Sequence, residues 1–203
     1  EDLSAWDQDH YGGLAAVDAL ARRAEIGPGS RVLDVCAGLA GPARHVASRF
    51  GAQVTALDLN AGRVAGGARL TRMVGLERQV VAVRADAQLL PFRDGSFTAV
   101  MSQEGLLHVP DKGRVLAECA RVLVPGGRIA FTDWIATARL DDGERRRLAE
   151  WMAAVSIETI AGYRERLARA GFAGVESEDL TREWTVILRE RLGRSAAQIA
   201  ALR

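Results

Sequence analysis

Short apolar runs alternate with amphipathic runs through most of the chain, and this alternation restricts the possible folds more than any other feature. The apolar runs have the length of buried strands, and most of the runs between them repeat apolar residues at helical spacing. This order is typical of a mostly parallel sheet that is covered by helices on both faces. We therefore predict a Rossmann-like α/β fold, a three-layer sandwich, with strands at residues 31–36, 53–58, 80–84, 97–102 and 128–133.

The alternation stops after the fifth predicted strand. Residues 141–170 contain two helical patterns with no strand between them. Ligands of open parallel sheets bind at the carboxyl ends of the strands, so an insertion after strand five would lie over the ligand. We expect residues 136–170 to form a helical cap over the substrate; the alternative is a helix pair that only packs on the core. Residues 174–179 are expected to form a sixth strand, followed by a last helix.

The bulk properties of the chain exclude several classes of function. Its 203 residues suit one α/β domain, and its net charge of +1, with arginines set among acids, does not indicate nucleic-acid binding. No apolar run is long enough to span a membrane, and no signal segment opens the chain. The two cysteines show neither metal-ligand nor disulfide spacing. We expect a cytoplasmic protein without metal, membrane or nucleic-acid partners, and the oligomeric state stays open.

A glycine-rich turn joins the first predicted strand to the next helix. It runs from Asp34 through Gly38 to Gly41 and Pro42, and glycine there lets a ligand lie against the main chain. The helix start offers unpaired N–H groups and the positive end of the dipole, which suit a carboxylate or a phosphate. A dinucleotide fingerprint would have its first glycine where Cys36 stands, and the Asp34 carboxylate would repel a pyrophosphate. The turn therefore favours a ligand with a cationic group over a dinucleotide.

Acidic residues stand at the ends of three successive predicted strands. Asp58 follows Gly38 at the distance at which an acid can bind both hydroxyls of a ribose, in a nicotinamide dinucleotide or in S-adenosylmethionine. Asp86 and the N–H of Ala87 can meet the amino group and a ring nitrogen of an adenine. Each acid alone could cap a helix, but together with Asp34 they indicate one crevice at one edge of the sheet.

The order and spacing of these residues resemble the class I S-adenosylmethionine-dependent methyltransferases. The resemblance covers about residues 28–135 and is carried by residues 32–42, 58, 86–87, 90–92, 96–100 and 121–127. Residues 9–13, 102–108 and 132–134 further resemble the small-molecule branch of sarcosine/dimethylglycine and phosphoethanolamine N-methyltransferases. Sugar O-methyltransferases, with a histidine and an aspartate near positions 108 and 133, are similar as well. The sequence departs from the family pattern at Ala40, where glycine is usual, and it shows no final antiparallel strand.

The resemblance implies methyl transfer from S-adenosylmethionine to an amine or hydroxyl of a small molecule, with S-adenosylhomocysteine as the product. It divides one domain into an N-terminal helical lid (1–26), a cofactor-binding core (27–135), the cap (136–170) and a C-terminal part of the core (171–203). The implied cofactor contacts are Asp34 at the ammonium, Ala37, Gly38 and Gly41 at the methionine end, Asp58 and Leu59 at the ribose, Asp86 and Ala87 at the adenine, and Gln103 at the reactive end.

Methyl transfer requires an acceptor that is aligned with the methyl carbon and presents a lone pair. We predict that His108 is the base and that Asp133 orients or supports it, because both leave the ends of central strands and histidine titrates near neutral pH. The alternative is that His108 packs a loop. Glu104 and Trp134 are candidates, with His108, for holding the substrate, although Glu104 could face solvent.

Aromatic residues near both ends of the chain are open to two interpretations. Tyr11, with His10 and Trp6, could close over the cofactor, or it could brace the first helix. Trp151 and Trp184 are expected in the core rather than around a ligand.

Four other functions are weighed against this prediction. A sugar or natural-product O-methyltransferase shares the site, whereas Cys36 and Asp34 argue against a nicotinamide-dependent oxidoreductase. Ala40 leaves open a cofactor-binding scaffold without activity, although the intact acids and His108 argue against it. A nucleic-acid methyltransferase usually has an Asn/Asp-Pro-Pro-aromatic motif after strand four, where this chain has Ser-Gln-Glu-Gly at 102–105.

Overall fold

The computed structural model describes residues 7, 8 and 10–201. Its five strands are β1 (Arg31–Val35), β2 (Gln53–Asp58), β3 (Val80–Arg84), β4 (Phe97–Gln103) and β5 (Leu123–Thr132). They form one parallel sheet in the order β3-β2-β1-β4-β5, so the chain changes direction across the sheet between β1 and β4. The predicted Rossmann-like fold is confirmed, and a ligand crevice is expected at this switch point.

Several of the helices begin at a residue whose side chain caps them. They are α1 (Gly13–Arg23), α2 (Gly41–Phe50), α3 (Ala61–Met73), α4 (Lys112–Val122), α5 (Asp142–Met152), α6 (Ile160–Arg169) and α7 (Thr181–Ala201), with a 3₁₀ turn at Leu106–His108. The side chains of Asn60 and Asp111 accept N–H groups at the starts of α3 and α4, and Asp141 forms a capping box with Glu144 on α5.

Alternate residues of the strands supply two hydrophobic layers, one on each face of the sheet. Val32 belongs to the layer that includes residues of α1 and α2, whereas Leu33 and Val35 belong to the layer that includes residues of α4 and α6. Because the central strands β1 and β4 are covered on both faces, most of their residues are buried instead of alternating between core and solvent. Side chains at the strand ends are therefore where polar chemistry can be placed.

The structure corrects the expectation of a sixth strand. Residues 172–180 form no strand and pair with none of the described strands. Gly174 has a left-handed backbone (φ 63°), and Glu176, Glu178 and Asp179 leave little apolar surface for a strand to bury. From this stretch Phe172 and Val175 pack, partly buried, against the α4–α6 layer.

The predicted cap consists of two unlike helices. α6 packs on α4 and buries Tyr163 and Leu167 in the core, and the cap over the substrate at residues 136–170 stays a prediction. α5 buries none of its residues. None of the described helices is both long and apolar enough to cross a membrane.

Candidate functional site

The glycine-rich turn between β1 and α2 is held by the end of β2. Asp58 accepts the N–H of Gly38 through Oδ2 at 2.8 Å, and the carbonyl of Leu57 accepts the N–H of Ala37 at 2.9 Å. Within the turn, Ala40 has a left-handed backbone (φ 62°) although it is not glycine. Such a residue costs about 1–2 kcal/mol more there than glycine does. The departure at Ala40 therefore leaves the path of the turn intact.

Cys36, the other left-handed residue of the turn that is not glycine, lies against Gly105, which follows the end of β4. Cys36 is also left-handed (φ 59°), and a Cβ on Gly105 would lie 2.5 Å from the Cβ of Cys36. The side chain of Cys36 therefore occupies space that is free only because residue 105 is glycine. Burial raises the pKa of the Cys36 thiol to about 12, so the group is a neutral thiol at physiological pH.

The N-terminal segment lies against the start of α2. A Cβ on Gly41 would lie 1.8 Å from the carbonyl oxygen of Asp7, so only glycine lets the two backbones approach this closely. Asp7 and Arg44 form a buried ion pair, with Nη2 of Arg44 2.5 Å from Oδ2 of Asp7. The implied contact residue Gly41 therefore packs beneath another part of the chain.

Asp34 is the least solvated acid at the crevice. It is 1% exposed, and its Oδ2 has no hydrogen-bond partner among the described residues. Burial, and then the charge of Asp58, raises the pKa of Asp34 to about 8. A buried carboxyl without a partner is costly, and an ammonium group would satisfy it. The site thus fits the amino-acid end of S-adenosylmethionine.

A cleft at the ends of β2 and β3 contains the remaining implied contacts for the nucleoside. Leu59, Asp86 and Ala87 line it together with the 3₁₀-turn residue His108. Asp86 accepts the N–H of Gln88 at 2.8 Å, which fixes the turn after β3. The structure therefore brings the ribose and adenine candidates to one place, and it adds His108 to their edge.

Glu104 and three aromatic rings form a second cluster at the ends of β4 and β5. Tyr11 stacks on Trp184 with a centroid distance of 5.1 Å and meets Trp134 edge to face at 5.7 Å. The guanidinium of Arg191 lies 4.7 Å from the centre of the Tyr11 ring. Tyr11 was predicted to contact the cofactor, but here it belongs to this cluster, which we call the aromatic cluster.

Glu104 is turned into this cluster and not towards solvent. Its Oε1 accepts the N–H of Tyr11 at 2.6 Å, and its left-handed backbone (φ 50°) directs it inward. Burial raises the pKa of Glu104 to about 7, although hydrogen bonds from Tyr11 and Trp134 and the charge of Arg191 oppose this effect. The carboxyl group can therefore gain or lose a proton near neutral pH.

The prediction that Asp133 orients the ring of His108 is wrong, because the two side chains form no hydrogen bond. Nδ1 of the exposed His108 lies 3.0 Å from the carbonyl oxygen of Ala153. Asp133 instead accepts the N–H of Leu107 at 3.2 Å and the hydroxyl of Tyr163. The cause is α6, which brings Tyr163 beneath the end of β5 and engages the carboxylate there. A backbone carbonyl, and not Asp133, orients His108.

The comparisons with known proteins agree with this geometry. Residues 33–131 match a family model described as a methyltransferase domain. The chain is 34% identical over 165 residues to a glycine/sarcosine/dimethylglycine N-methyltransferase of Actinopolyspora halophila, which covers 81% of this chain and 29% of the relative. The structure of a phosphoethanolamine N-methyltransferase of Haemonchus contortus with S-adenosyl-L-methionine matches with a TM-score of 0.82 at 26% identity, covering 94% of this chain and 45% of that one. The chain belongs to the class I S-adenosylmethionine-dependent methyltransferases.

One further solved structure widens the range of reactions on this fold. The [4+2]-cyclase SpnF matches with a TM-score of 0.73 at 30% identity, covering 81% of this chain and 60% of that one. In all three comparisons the chain spans less than two thirds of the length of the protein that it matches.

Gln103 occupies the boundary between the two parts of the methyltransferase site. Its Nε2 lies 3.3 Å from Nδ1 of His10, and its buried Oε1 has no partner among the described residues. The Nδ1 of His10 also lies 3.1 Å from the carbonyl oxygen of Tyr11. Trp6 lies outside the described residues.

Sequence reasoning missed several members of the methyltransferase site. Trp184 is half-buried against Tyr11 and not in the core, and Trp151 is 77% exposed. Trp184 and Arg191 are seven residues apart on α7, a spacing that places them on one helix face and could have indicated a shared role. No sequence signal indicated Tyr163 as the partner of Asp133.

Proposed function

We propose that this methyltransferase domain binds S-adenosylmethionine across the ends of β1, β2 and β3 and methylates an amine or hydroxyl of a small molecule at the aromatic cluster. The observation that carries the proposal is the arrangement of Asp34, Asp58 and Asp86 at three adjacent strand ends, with Asp34 buried and its Oδ2 without a partner among the residues that the structure describes. When bound, the cofactor supplies a methyl group on a sulfonium centre that leaves readily.

The residues of the chain would hold the cofactor by complementary charge. Asp34 would meet the ammonium group, Asp58 the ribose, and Asp86 with Ala87 the adenine, while the turn around Gly38 would hold the methionine end. Each assignment follows from the family resemblance and from the position of the residue at the crevice.

The aromatic cluster would hold the acceptor and keep water out. Aromatic rings beside the carboxylate of Glu104 suit a cationic amine, because both attract positive charge. The relatives with amine substrates in their names support an amine over a hydroxyl. Trp134 and Glu104 would then contact the acceptor, as first predicted, together with Tyr11 and Trp184.

His108 would accept the proton that the acceptor loses. Its contact with the carbonyl of Ala153 replaces the predicted contact with Asp133 as the orienting interaction. This role needs a free lone pair on Nε2, which the contact provides if Nδ1 carries the hydrogen. Asp133, half-buried and hydrogen-bonded to Tyr163, would support the floor of the site.

We also propose a cytoplasmic setting for the protein. Cys36 and Cys119 are both free thiols, as expected in a reducing compartment.

The first test is thermal unfolding with saturating S-adenosylhomocysteine and, separately, with NADH. Ligand at 100 times its Kd adds about 2.7 kcal/mol, which raises the midpoint by roughly 5–10 °C for a domain of this size. We expect S-adenosylhomocysteine, and not NADH, to raise the midpoint. The rise should be lost in Asp86→Ala. It should be kept in the control Asp142→Ala, which changes an exposed aspartate on α5. A rise with NADH alone would contradict the proposal.

A second candidate function is a reaction on the same fold without methyl transfer, which the similarity to the [4+2]-cyclase favours. An assay of S-adenosylhomocysteine production with a panel of small amines and alcohols separates the two. Cofactor-dependent product formation that Glu104→Ala abolishes supports methyl transfer. Tight cofactor binding without production from any acceptor in the panel supports the alternative.

A further inference from the structure

Lys112 is a buried charge that the roles described so far do not use. It is the first residue of α4, and it is 2% exposed. Its ammonium group donates to the carbonyl oxygen of Leu106 at 2.6 Å and to that of Ser156 at 2.5 Å. The two acceptors lie far apart in the sequence, so Lys112 joins two segments of the chain.

The cost of burying this ammonium shows that the contacts matter to the structure. Burial lowers the pKa of Lys112, while the charges of Asp133 and Glu158 act in the opposite direction. A buried charge is tolerated only where hydrogen bonds and opposite charges compensate its lost hydration. Lys112 is therefore held by two short hydrogen bonds at the floor of the site.

The two segments that Lys112 joins meet around His108. Leu106 begins the 3₁₀ turn that ends at His108, and Ser156 lies in the link between α5 and α6. The N–H of Ser156 donates to the carbonyl of Leu107 at 3.1 Å. The carbonyl of Ala153, in the same link, lies 3.0 Å from Nδ1 of His108.

The contact with Ala153 decides which nitrogen of His108 can act as a base. A carbonyl oxygen only accepts hydrogen bonds, so the contact requires a hydrogen on Nδ1. In the neutral ring Nε2 then keeps its lone pair, as a proton acceptor must. Without this contact the ring could place its hydrogen on Nε2, and that nitrogen could no longer accept a proton.

We propose that Lys112 is a positioning residue: by binding the carbonyls of Leu106 and Ser156 it keeps the carbonyl of Ala153 against His108 and fixes the Nδ1–H tautomer. The catalytic consequence rests on the proposed role of His108 as the base. The tautomer itself does not depend on that role. The two can therefore be tested separately.

The test is ¹⁵N nuclear magnetic resonance of histidine-labelled protein, with His108→Gln to assign the signals of His108. The wild type should show the Nδ1–H tautomer of the neutral ring. Lys112→Met keeps a side chain of similar length but removes its charge and its hydrogen-bond donors. It should give a mixture of the two tautomers of His108. Lys112→Arg keeps charge and donors and should restore the wild-type signal. Ser156→Ala is the matched control, because Lys112 binds the backbone oxygen of Ser156 and not its side chain.

Kinetics with an active acceptor provide the second readout. Lys112→Met should lower kcat about tenfold, part of the contribution of a general base, and should leave the KM for the cofactor unchanged. A tautomer that stays Nδ1–H in Lys112→Met overturns the proposal, whatever happens to kcat. If Lys112→Met does not fold, Lys112→Gln, too short to reach both carbonyls, takes its place with the same expectation. If the protein has no methyltransferase activity, the proposed function is contradicted. The tautomer of His108, measured by nuclear magnetic resonance, still tests the positioning role of Lys112.

Discussion

The two parts of the crevice lie at the same edge of one sheet, yet they are assembled in different ways. The cofactor part is made by the ends of consecutive strands, and its main tie, from Asp58 to Gly38, joins residues 20 positions apart. The aromatic cluster joins the two ends of the chain to its middle. Tyr11 and Glu104 are 93 positions apart, and Arg191 donates to the carbonyl of His10, 181 positions away.

This difference bears on what each part can tolerate. A strand–turn–helix unit fixes its own geometry, so the cofactor part depends on a few backbone positions and buried acids. The aromatic cluster depends on how α7 and the N-terminal segment pack over β4 and β5. Changes in distant packing should therefore alter the choice of acceptor more readily than the binding of the cofactor.

The largest expected effect lies in the cofactor part and comes from Asp34. Its pKa is raised to about 8, so below that pH the carboxyl is mostly protonated, and binding of an ammonium group should release the proton. The Kd of S-adenosylhomocysteine should fall about tenfold per pH unit from pH 6 towards 8. Calorimetry in two buffers of different ionisation enthalpy should detect about one released proton at pH 7.

Asp34→Asn is the control for this linkage. It keeps the shape of the side chain and removes the titration, so proton release and the slope with pH should both disappear. Wild-type binding without proton release would show that the ligand's cation lies elsewhere.

The next largest effect lies in the aromatic cluster and comes from Glu104. Its pKa is raised from 4.5 to about 7, so the folded state holds the proton more tightly than the unfolded chain does. Stability from this group is complete below about pH 4.5 and is lost as the pH rises to 7. Relative to Glu104→Gln, the wild type should lose about 2–3 kcal/mol in free energy of unfolding across this range.

Urea unfolding at a series of pH values measures this difference. Glu150→Gln, a change of an exposed glutamate on α5, serves as the matched control and should run parallel to the wild type. A constant difference between the wild type and Glu104→Gln would mean that Glu104 is solvated in the folded protein.

The cofactor part could be predicted from the sequence more fully than the aromatic cluster. The five strands and the turn at Gly38 were predictable because each rests on a local pattern of apolar, glycine and acidic residues. The stacking of Trp184 on Tyr11 was not, because helical spacing gives the face of α7 and says nothing about where α7 packs. The partner of His108 is a backbone carbonyl, which any residue at position 153 would supply, so it leaves no sequence signal.

Trp184→Ala tests directly whether the aromatic cluster is separate from the cofactor part. Loss of an aromatic pair removes about 0.5–1.5 kcal/mol, so the KM for the acceptor should rise up to about tenfold. The Kd of S-adenosylhomocysteine should not change. Weaker binding of S-adenosylhomocysteine would instead support the prediction that Tyr11 contacts the cofactor. As the control, Trp151→Ala, at an exposed position, should change neither the KM for the acceptor nor the Kd of S-adenosylhomocysteine.

The smallest expected effect is a gain in stability in the cofactor part. Ala40→Gly relieves a left-handed backbone, offset by the greater freedom of glycine in the unfolded chain, so we expect a net gain of about 0.5–1 kcal/mol. Ala65→Gly, in the middle of α3, should lose about 1 kcal/mol and provides the opposite control. A loss of stability in Ala40→Gly would show that the buried methyl group outweighs the strain.

Cys36 and Gly105 have a consequence for how this chain is compared with its relatives. A Cβ at Gly105 would overlap that of Cys36. The loops after β1 and β4 therefore have space for a Cβ at only one of these two positions. Cys36→Gly would free position 105 to accept alanine, whereas Gly105→Ala alone would not be accommodated. The two sites should therefore change together during evolution. An alignment that scores each column separately would miss this exchange of volume between positions 36 and 105.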